Sequence, residues 1–437
     1  MADPGRKELL AAALLLGAGL ALRVALGTPV PPDGDSRRFL SQARHLVAGS
    51  RDLVAGDSFS TVPPGYPLFI RAAGWIRPGI PFLLGLQFVL SLATCLLAWL
   101  AARRRSREAA LAALALLALN PWLARQHALV MSETLGAFLV GLTVFLWPAP
   151  GRRLGGGAAL ALGALGVAGS LVVPAAAFVA APSLAVLAWQ NRRRPVATGL
   201  LAAGVALVMV PWQAYLLRET GRIEPTLLRP ARTGTAGITT WLRSWSTWPQ
   251  DKAVWWSEEA RRGLPPEALG PDPERALVLA ALAEAPYSHA AYQVGSRYDE
   301  ALQNVGRSRA RAHPVRFWAG LPLARSVTLW LDYRSMIGIP ASYRRATGVL
   351  RAAFWGTHVA FWGLNLLALG LFAWGAAGAA RRRDALLLAV VAGAVAYTLA
   401  SAYSARGEFR RNLALQPALV LLLTAIPAVP RPDGCRA

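Results

Sequence analysis

Two aspartates two positions apart, Asp33 and Asp35, stand in the stretch PPDGDSRRFLSQARHLVAG. A single carboxylate placed this way can act as a general base, taking the proton from a hydroxyl as its oxygen attacks an electrophile. A pair can also hold a divalent cation through oxygen ligands. After Asp35, the residues Phe39, Leu40, Ala43, Leu46 and Val47 recur at three- and four-residue steps, which predicts a helix. Asp35 or Ser36 would then suit the helix N-cap, a purely structural role that spacing alone does not separate from the chemical one. Arg37 and Arg38 flank the carboxylate. They can favour its ionised form or touch a phosphate, and a solvated helix face fits them as well.

A second cluster lies near the end of the chain, in YSARGEFRRN: Arg406, Arg410 and Arg411, with Glu408 among them. Fixed guanidinium groups of this kind stabilise a departing phosphate. Between the two clusters, Glu133 opens an apolar run and can line a cavity or pair with Arg125. The first turn of a helix also suits a glutamate electrostatically. His45 and His127 are further candidates for the site, but the five histidines show no metal-ligand spacing. Tyr66 sits in VPPGYPLF, where adjacent prolines stiffen the chain and an interfacial position suits the ring. The tryptophans Trp241, Trp245, Trp248, Trp255 and Trp256 suit an interfacial belt better than a sugar platform.

The elements that must position these residues are membrane helices. Of 437 residues, 55% are hydrophobic and only 16% charged, and several apolar runs approach the length of a bilayer crossing. The composition predicts an all-α polytopic membrane protein of about ten spans. We place them near 9–26, 80–101, 108–124, 131–148, 155–171, 173–190, 196–216, 352–379, 384–403 and 411–428. The first follows Arg6 and Lys7, lacks a small-residue cleavage site, and reads as an uncleaved span. The arginine clusters at 103–107, 152–153, 192–194 and 381–383 all fall on one side of this arrangement. The positive-inside bias makes that side cytoplasmic, with both termini. The stretch 27–79 and the loop 217–351 then lie outside, between membrane regions 1–216 and 352–437. The loop is expected to carry amphipathic helices, such as DKAVWWSEEARR and the run 289–312, without forming an independent domain.

The net charge of +23 raises nucleic-acid binding, but its arginines sit in short loops that topology already explains, so no nucleic acid is expected. Cys95 and Cys435 form no disulfide framework or metal motif. The glycines between 155 and 169 read as close helix packing rather than a phosphate loop.

Taken in order, these motifs resemble a known family. Asp35, Phe39, Ala43, Leu46 and Gly49, followed by PPGYPLF, resemble the first external loop of the GT-C glycosyltransferases. The nearest branch is that of protein O-mannosyltransferases and lipid A aminoarabinose transferases. ALNPWLARQHALVMSETLGAFL, with Pro121, Ser132 and Glu133, resembles the family's next external turn. HPVRFWAGLPLARSVTLWL resembles the end of its large loop, and EFRRNLALQPALVLLL its last span.

The resemblance implies a GT-C-like fold and an enzyme of the inner membrane with an external site. It would take a hexose or pentose from a polyprenyl-phosphate donor and pass it to a hydroxyl of a lipid, glycan or protein. Asp35 would be the base, with Asp33 the alternative if the register shifts. Arg406, Arg410, Arg411, Arg37 and Arg38 would face the donor phosphate, and Glu133, Tyr66, His127 and Arg125 would line the cavity. One base without a carboxylate nucleophile implies inversion. No cofactor is expected, although a divalent cation is compatible with the pair. Val62 replaces the lysine of the aminoarabinose branch, which argues against that substrate, and Ser36 replaces the glutamate that often follows the catalytic Asp in protein mannosyltransferases, which weakens the transfer of their acceptor to this chain. The rival reading is a transporter or flippase for a lipid-linked sugar or another phosphorylated lipid. It should show charged or broken helices near mid-membrane.

Overall fold

A computed structural model of the chain describes residues 4–29, 34–48, 64–149, 152–220, 236–248, 251, 253–254, 257–287, 293–331, 349–404 and 412–426. Every regular element among them is helical. The first ten helices are α1 (Pro4–Leu26), α2 (Gly34–Ala48), α3 (Gly65–Ile76), α4 (Ile80–Arg103), α5 (Arg107–Ala118), α6 (Pro121–Gln126), α7 (Glu133–Leu146), α8 (Gly156–Val172), α9 (Ala175–Gln190) and α10 (Pro195–Thr220). The loop that follows carries α11 (Gly237–Arg243), α12 (Glu258–Arg262), α13 (Pro266–Leu269), α14 (Asp272–Glu284), α15 (Arg297–Ala312) and α16 (Leu321–Leu331). The long α17 (Val349–Arg382) and α18 (Ala385–Ser404) come next, and a mixed helical segment, Leu413 to Ala425, closes the bundle.

Among the described residues, five helices are long and apolar enough to cross a membrane: α1, α4, α10, α17 and α18. Helices α7, α8, α9 and the closing segment are apolar but shorter. The expected span 108–124 does not form as one helix. It stops at Ala118, and Asn120 starts α6 by accepting the N–H groups of Trp122 and Leu123, both at 3.0 Å. Pro121, lacking a donor, occupies the first helical position, which further favours a fresh start over continuation.

The bundle has two chemically different ends. At one, Arg103 pairs with Glu8 at 2.7 Å, Arg105 pairs with Asp384 at 2.5 Å, and Arg104 donates to the Phe145 carbonyl at 2.6 Å. Arg382 there donates to Thr424 at 3.1 Å. The basic turns α4–α5 and α17–α18, the C-terminal end of α7 and the end of the closing segment thus gather together. At the other end, Arg125 ties α6 to the carbonyls of Leu26, the last residue of α1, and Thr28 just after it, and Gly65 lets the start of α3 press on Leu171 and Val172.

Helix packing within the bundle uses small residues. A Cβ on Gly163 would run into the Leu201 carbonyl, and one on Gly204 into the Leu160 carbonyl, so α8 and α10 approach backbone to backbone. In lipid, where burying apolar surface gives little drive, such close contact supplies the association.

The large loop builds a hydrophobic cluster of its own, with Ile238, Trp241, Val278 and Leu302 fully buried. Trp241 and Trp245 are core residues, not an interfacial belt: their rings pack at 5.3 Å, and the Trp241 indole donates to the Ala268 carbonyl at 3.0 Å. Trp248 is half-buried, and Trp255 and Trp256 lie outside the described residues. Within the expected amphipathic stretches, the described residues form α12 over Glu258–Arg262 and α15 over Arg297–Ala312. Arg325 joins this unit to the bundle by donating to the carbonyls of Ser246, Arg243 and Ala402.

Candidate functional site

Asp35 lies in the first turn of α2. Gly34 is already helical, so Asp35 and Ser36 lie inside the first turn and neither is the N-cap. A carboxylate inside the first turn is still favoured by the aligned backbone dipoles. Arg38, one turn on, approaches Asp35 at 3.4 Å in a partly solvated pair. Such a pair orients the carboxylate but contributes little to stability.

Helix α2 is amphipathic in the way its sequence predicts. Ser36, Phe39, Gln42 and Ala43 are buried, while Arg37, Arg38 and Arg44 are exposed. The buried face docks on α3 through Phe39, whose ring meets Tyr66 edge-on at 4.8 Å. Tyr66 is fully buried, not interfacial. Its ring also stacks on Phe69 at 6.0 Å, and its hydroxyl donates to Gln87 Oε1 at 2.5 Å. Burial first, and then the charge of nearby Glu133, hold the Tyr66 phenol well above its ordinary pKa. It therefore remains a hydrogen-bond donor at neutral pH.

Gln87 passes the connection on. Its Nε2 donates to the carbonyls of His127 at 3.1 Å and Leu129 at 2.7 Å, fixing the turn between α6 and α7. His127 is buried, bonds through Nδ1 to the Ala124 carbonyl, and meets Phe88 edge-on at 5.1 Å. Burial is the main reason its pKa lies below 6.5; Arg23 and Arg125 lower it further, and the bond to Ala124 opposes them. A neutral imidazole results. Arg125 donates to Leu26 and Thr28, at 2.6 and 2.7 Å. Glu133 is buried at the first position of α7.

Arg23 is fully buried three residues before the end of α1, beside this cluster. Its guanidinium donates to Ser91 Oγ at 2.9 Å, to the Gly19 and Ala118 carbonyls at 3.0 and 2.9 Å, and to Cys95 Sγ at 3.3 Å. Through Ser91 and Cys95 the guanidinium sits beside the middle of α4.

The closing segment approaches from the far side. Asn412, the residue after Arg411, is fully buried and donates to the Leu329 carbonyl at 2.8 Å. A Cβ on Gly136 in α7 would lie 3.5 Å from Ala414, so this segment packs one turn from Glu133. Nearby, burial pushes Arg325 down to about 10, with Arg243 adding to that and Asp251 opposing it. The Arg243 guanidinium lies 5.4 Å from the Phe317 ring centre and 5.5 Å from that of Trp318. Tyr403, at the end of α18, donates to the Trp318 carbonyl at 3.0 Å.

Asp35, Tyr66, His127, Arg125 and Glu133 are thus carried by adjoining elements at one end of the bundle. Asp33, Arg406, Arg410 and Arg411 lie outside the described residues, and the side chain of His45 is likewise not described. Among the described residues, no group of three or more His, Cys, Asp or Glu side chains is arranged to hold a metal. Sequence reading missed Gln87 and the structural role of Arg23. A lone glutamine in LLGLQFVLS and an arginine in an apolar span were the available signals, since polar groups in such runs need partners. No protein-family model matches the chain, and no curated protein matches it.

Proposed function

We propose that this chain is a GT-C-type membrane glycosyltransferase, with Asp35 as its general base. The carboxylate takes the proton from an acceptor hydroxyl as that oxygen attacks the anomeric carbon of a polyprenyl-phosphate sugar. The bond from that carbon to the phosphate oxygen breaks, the sugar inverts, and polyprenyl phosphate leaves with the electron pair. Arg406, Arg410 and Arg411 neutralise the developing phosphate charge, and Arg37 and Arg38 stand close enough to the base in sequence to assist. Glu133, Tyr66, His127 and Arg125 form the packed layer behind the site and hold its elements in place. The site faces away from the cytosol, in a cytoplasmic membrane crossed by about ten segments.

One observation carries the reading. The helix bearing Asp35 is docked, by Phe39 against Tyr66, at the end of the bundle opposite the arginine-rich turns. The positive-inside bias assigns those turns to the cytosol, which leaves Asp35 on the side where lipid-linked sugars are used.

The test is transfer by the purified protein in liposomes, using a panel of polyprenyl-phosphate hexoses and pentoses. Asp35→Asn should abolish transfer while leaving expression and donor binding intact. Transfer that continues in Asp35→Asn removes this residue from the base role. Labelling of single cysteines at positions 37 and 152 from opposite sides of sealed vesicles tests the sidedness; labelling of both from one side contradicts it.

A further inference from the structure

The basic end of the bundle holds a cavity of about 510 Å³ that the proposed reaction does not use. Its walls come from the α4–α5 turn, the segment after α7, the end of α9, the α17–α18 turn and the end of the closing segment. Four guanidinium groups line it, those of Arg105, Arg152, Arg382 and Arg383, against the single carboxylate of Asp384. Orientation in the membrane requires positive charge in these turns, but not its convergence around a hollow.

Two of the arginines are held in place: Arg105 by its pair with Asp384 at 2.5 Å, and Arg382 by its bond to the Thr424 carbonyl at 3.1 Å. The other two are exposed at the rim. Arg383, the residue after α17, has φ of 53° and is the only non-glycine residue with positive φ among the described residues. Glycine is the usual choice at such a helix stop, so an arginine there carries a conformational cost and points to a use for the side chain. Leu386, Leu387, Pro148 and Ala425 add apolar surface beside the charges. A hollow of this kind, at the level where the spans end, matches a phosphate group with a greasy neighbour.

We propose that this cavity binds a phosphate group, presented either by an anionic lipid headgroup or as a free anion. The site lies at the opposite end of the bundle from Asp35 and is independent of the glycosyltransferase reading.

The experiment uses the full chain in nanodiscs and counts bound ligand by native mass spectrometry. One arm uses nine parts phosphatidylcholine to one part cardiolipin; the other uses phosphatidylcholine alone with added inorganic phosphate. Retained cardiolipin identifies a lipid headgroup, and retained phosphate without retained cardiolipin identifies a free anion; either supports the site. Arg152→Ala combined with Arg383→Ala should weaken retention about 30-fold, the effect of losing two cations in direct contact with the bound phosphate. Arg192→Ala combined with Arg193→Ala removes two charges that do not line the cavity and should change retention less than about 2-fold. No retention in either arm, or equal loss in both double variants, overturns the proposal. If the cavity double variant does not fold, Arg152→Glu alone carries the same expectation and the same refutation.

Discussion

Replacing Phe39 by alanine tests the docking on which the position of Asp35 depends. Phe39 is 7% exposed, and its edge-on partner Tyr66 is fully buried, so the ring is a core residue of a short external helix. Truncating such a phenylalanine costs about 3–5 kcal/mol. Losing the ring pair adds about 0.5–1.5 kcal/mol. Even the lower figure shifts the docked-to-undocked ratio of α2 more than about 100-fold. The bundle itself should be spared, because Tyr66 keeps its stacking on Phe69 and its bond to Gln87. Hydrogen exchange read by mass spectrometry should therefore show peptides from Gly34–Ala48 losing protection by about 100-fold, while α4 keeps its own. Sugar transfer should fall with the docked fraction, and Phe39→Tyr, which retains a ring, should restore most of both. Unchanged exchange in α2, or equal loss of protection in α4, would refute the docking argument.

Other perturbations follow from the same contacts. Tyr66→Phe keeps the ring but leaves Gln87 Oε1 buried without its donor, a cost of about 1–3 kcal/mol that thermal unfolding in detergent should register; an unchanged midpoint would mean that water or another donor replaces the hydroxyl. His127 has a folded-state pKa below 6.5, so the folded protein binds fewer protons there than the unfolded chain. Its contribution is complete well above 6.5 and is lost as pH falls through 6.5 towards the lower folded-state value: the melting temperature should drop over that range, and His127→Gln should flatten that slope. An identical slope in the variant would assign the pH dependence to other groups. Gly163→Ala places a methyl against the Leu201 carbonyl and should cost about 1–3 kcal/mol by forcing α8 from α10, whereas Gly157→Ala, which meets open space, should be nearly neutral. Similar effects at the two glycines would undo the close-packing account.

The residues explain which features could be read without coordinates. Apolar runs and arginine turns announced the bundle and its two ends, because both signals are local and repeated. The step pattern after Asp35 likewise announced α2 and its buried Phe39, since a helix face is written every three or four positions. The break at Asn120 escaped notice because an apolar run of adequate length masked a local side-chain cap. Trp241 and Trp245 were misassigned for a different reason: a tryptophan near a membrane suits a headgroup belt and a protein core equally well by composition, and only the packing of α11 on its neighbours decides. Gln87 and Arg23 were visible as polar residues in apolar runs, but their partners lie many positions away in the chain. Long-range hydrogen bonds leave no periodic mark.

The most direct measurement compares lipid-linked sugars and envelope glycans, by mass spectrometry, in cells carrying the intact protein, no protein, or Asp35→Asn. If the carboxylate accepts the hydroxyl proton, the substituted and null cells should match: one sugar missing from the product, and its polyprenyl-phosphate donor accumulating. A complete glycan and a normal donor level in the Asp35→Asn cells would contradict the assignment.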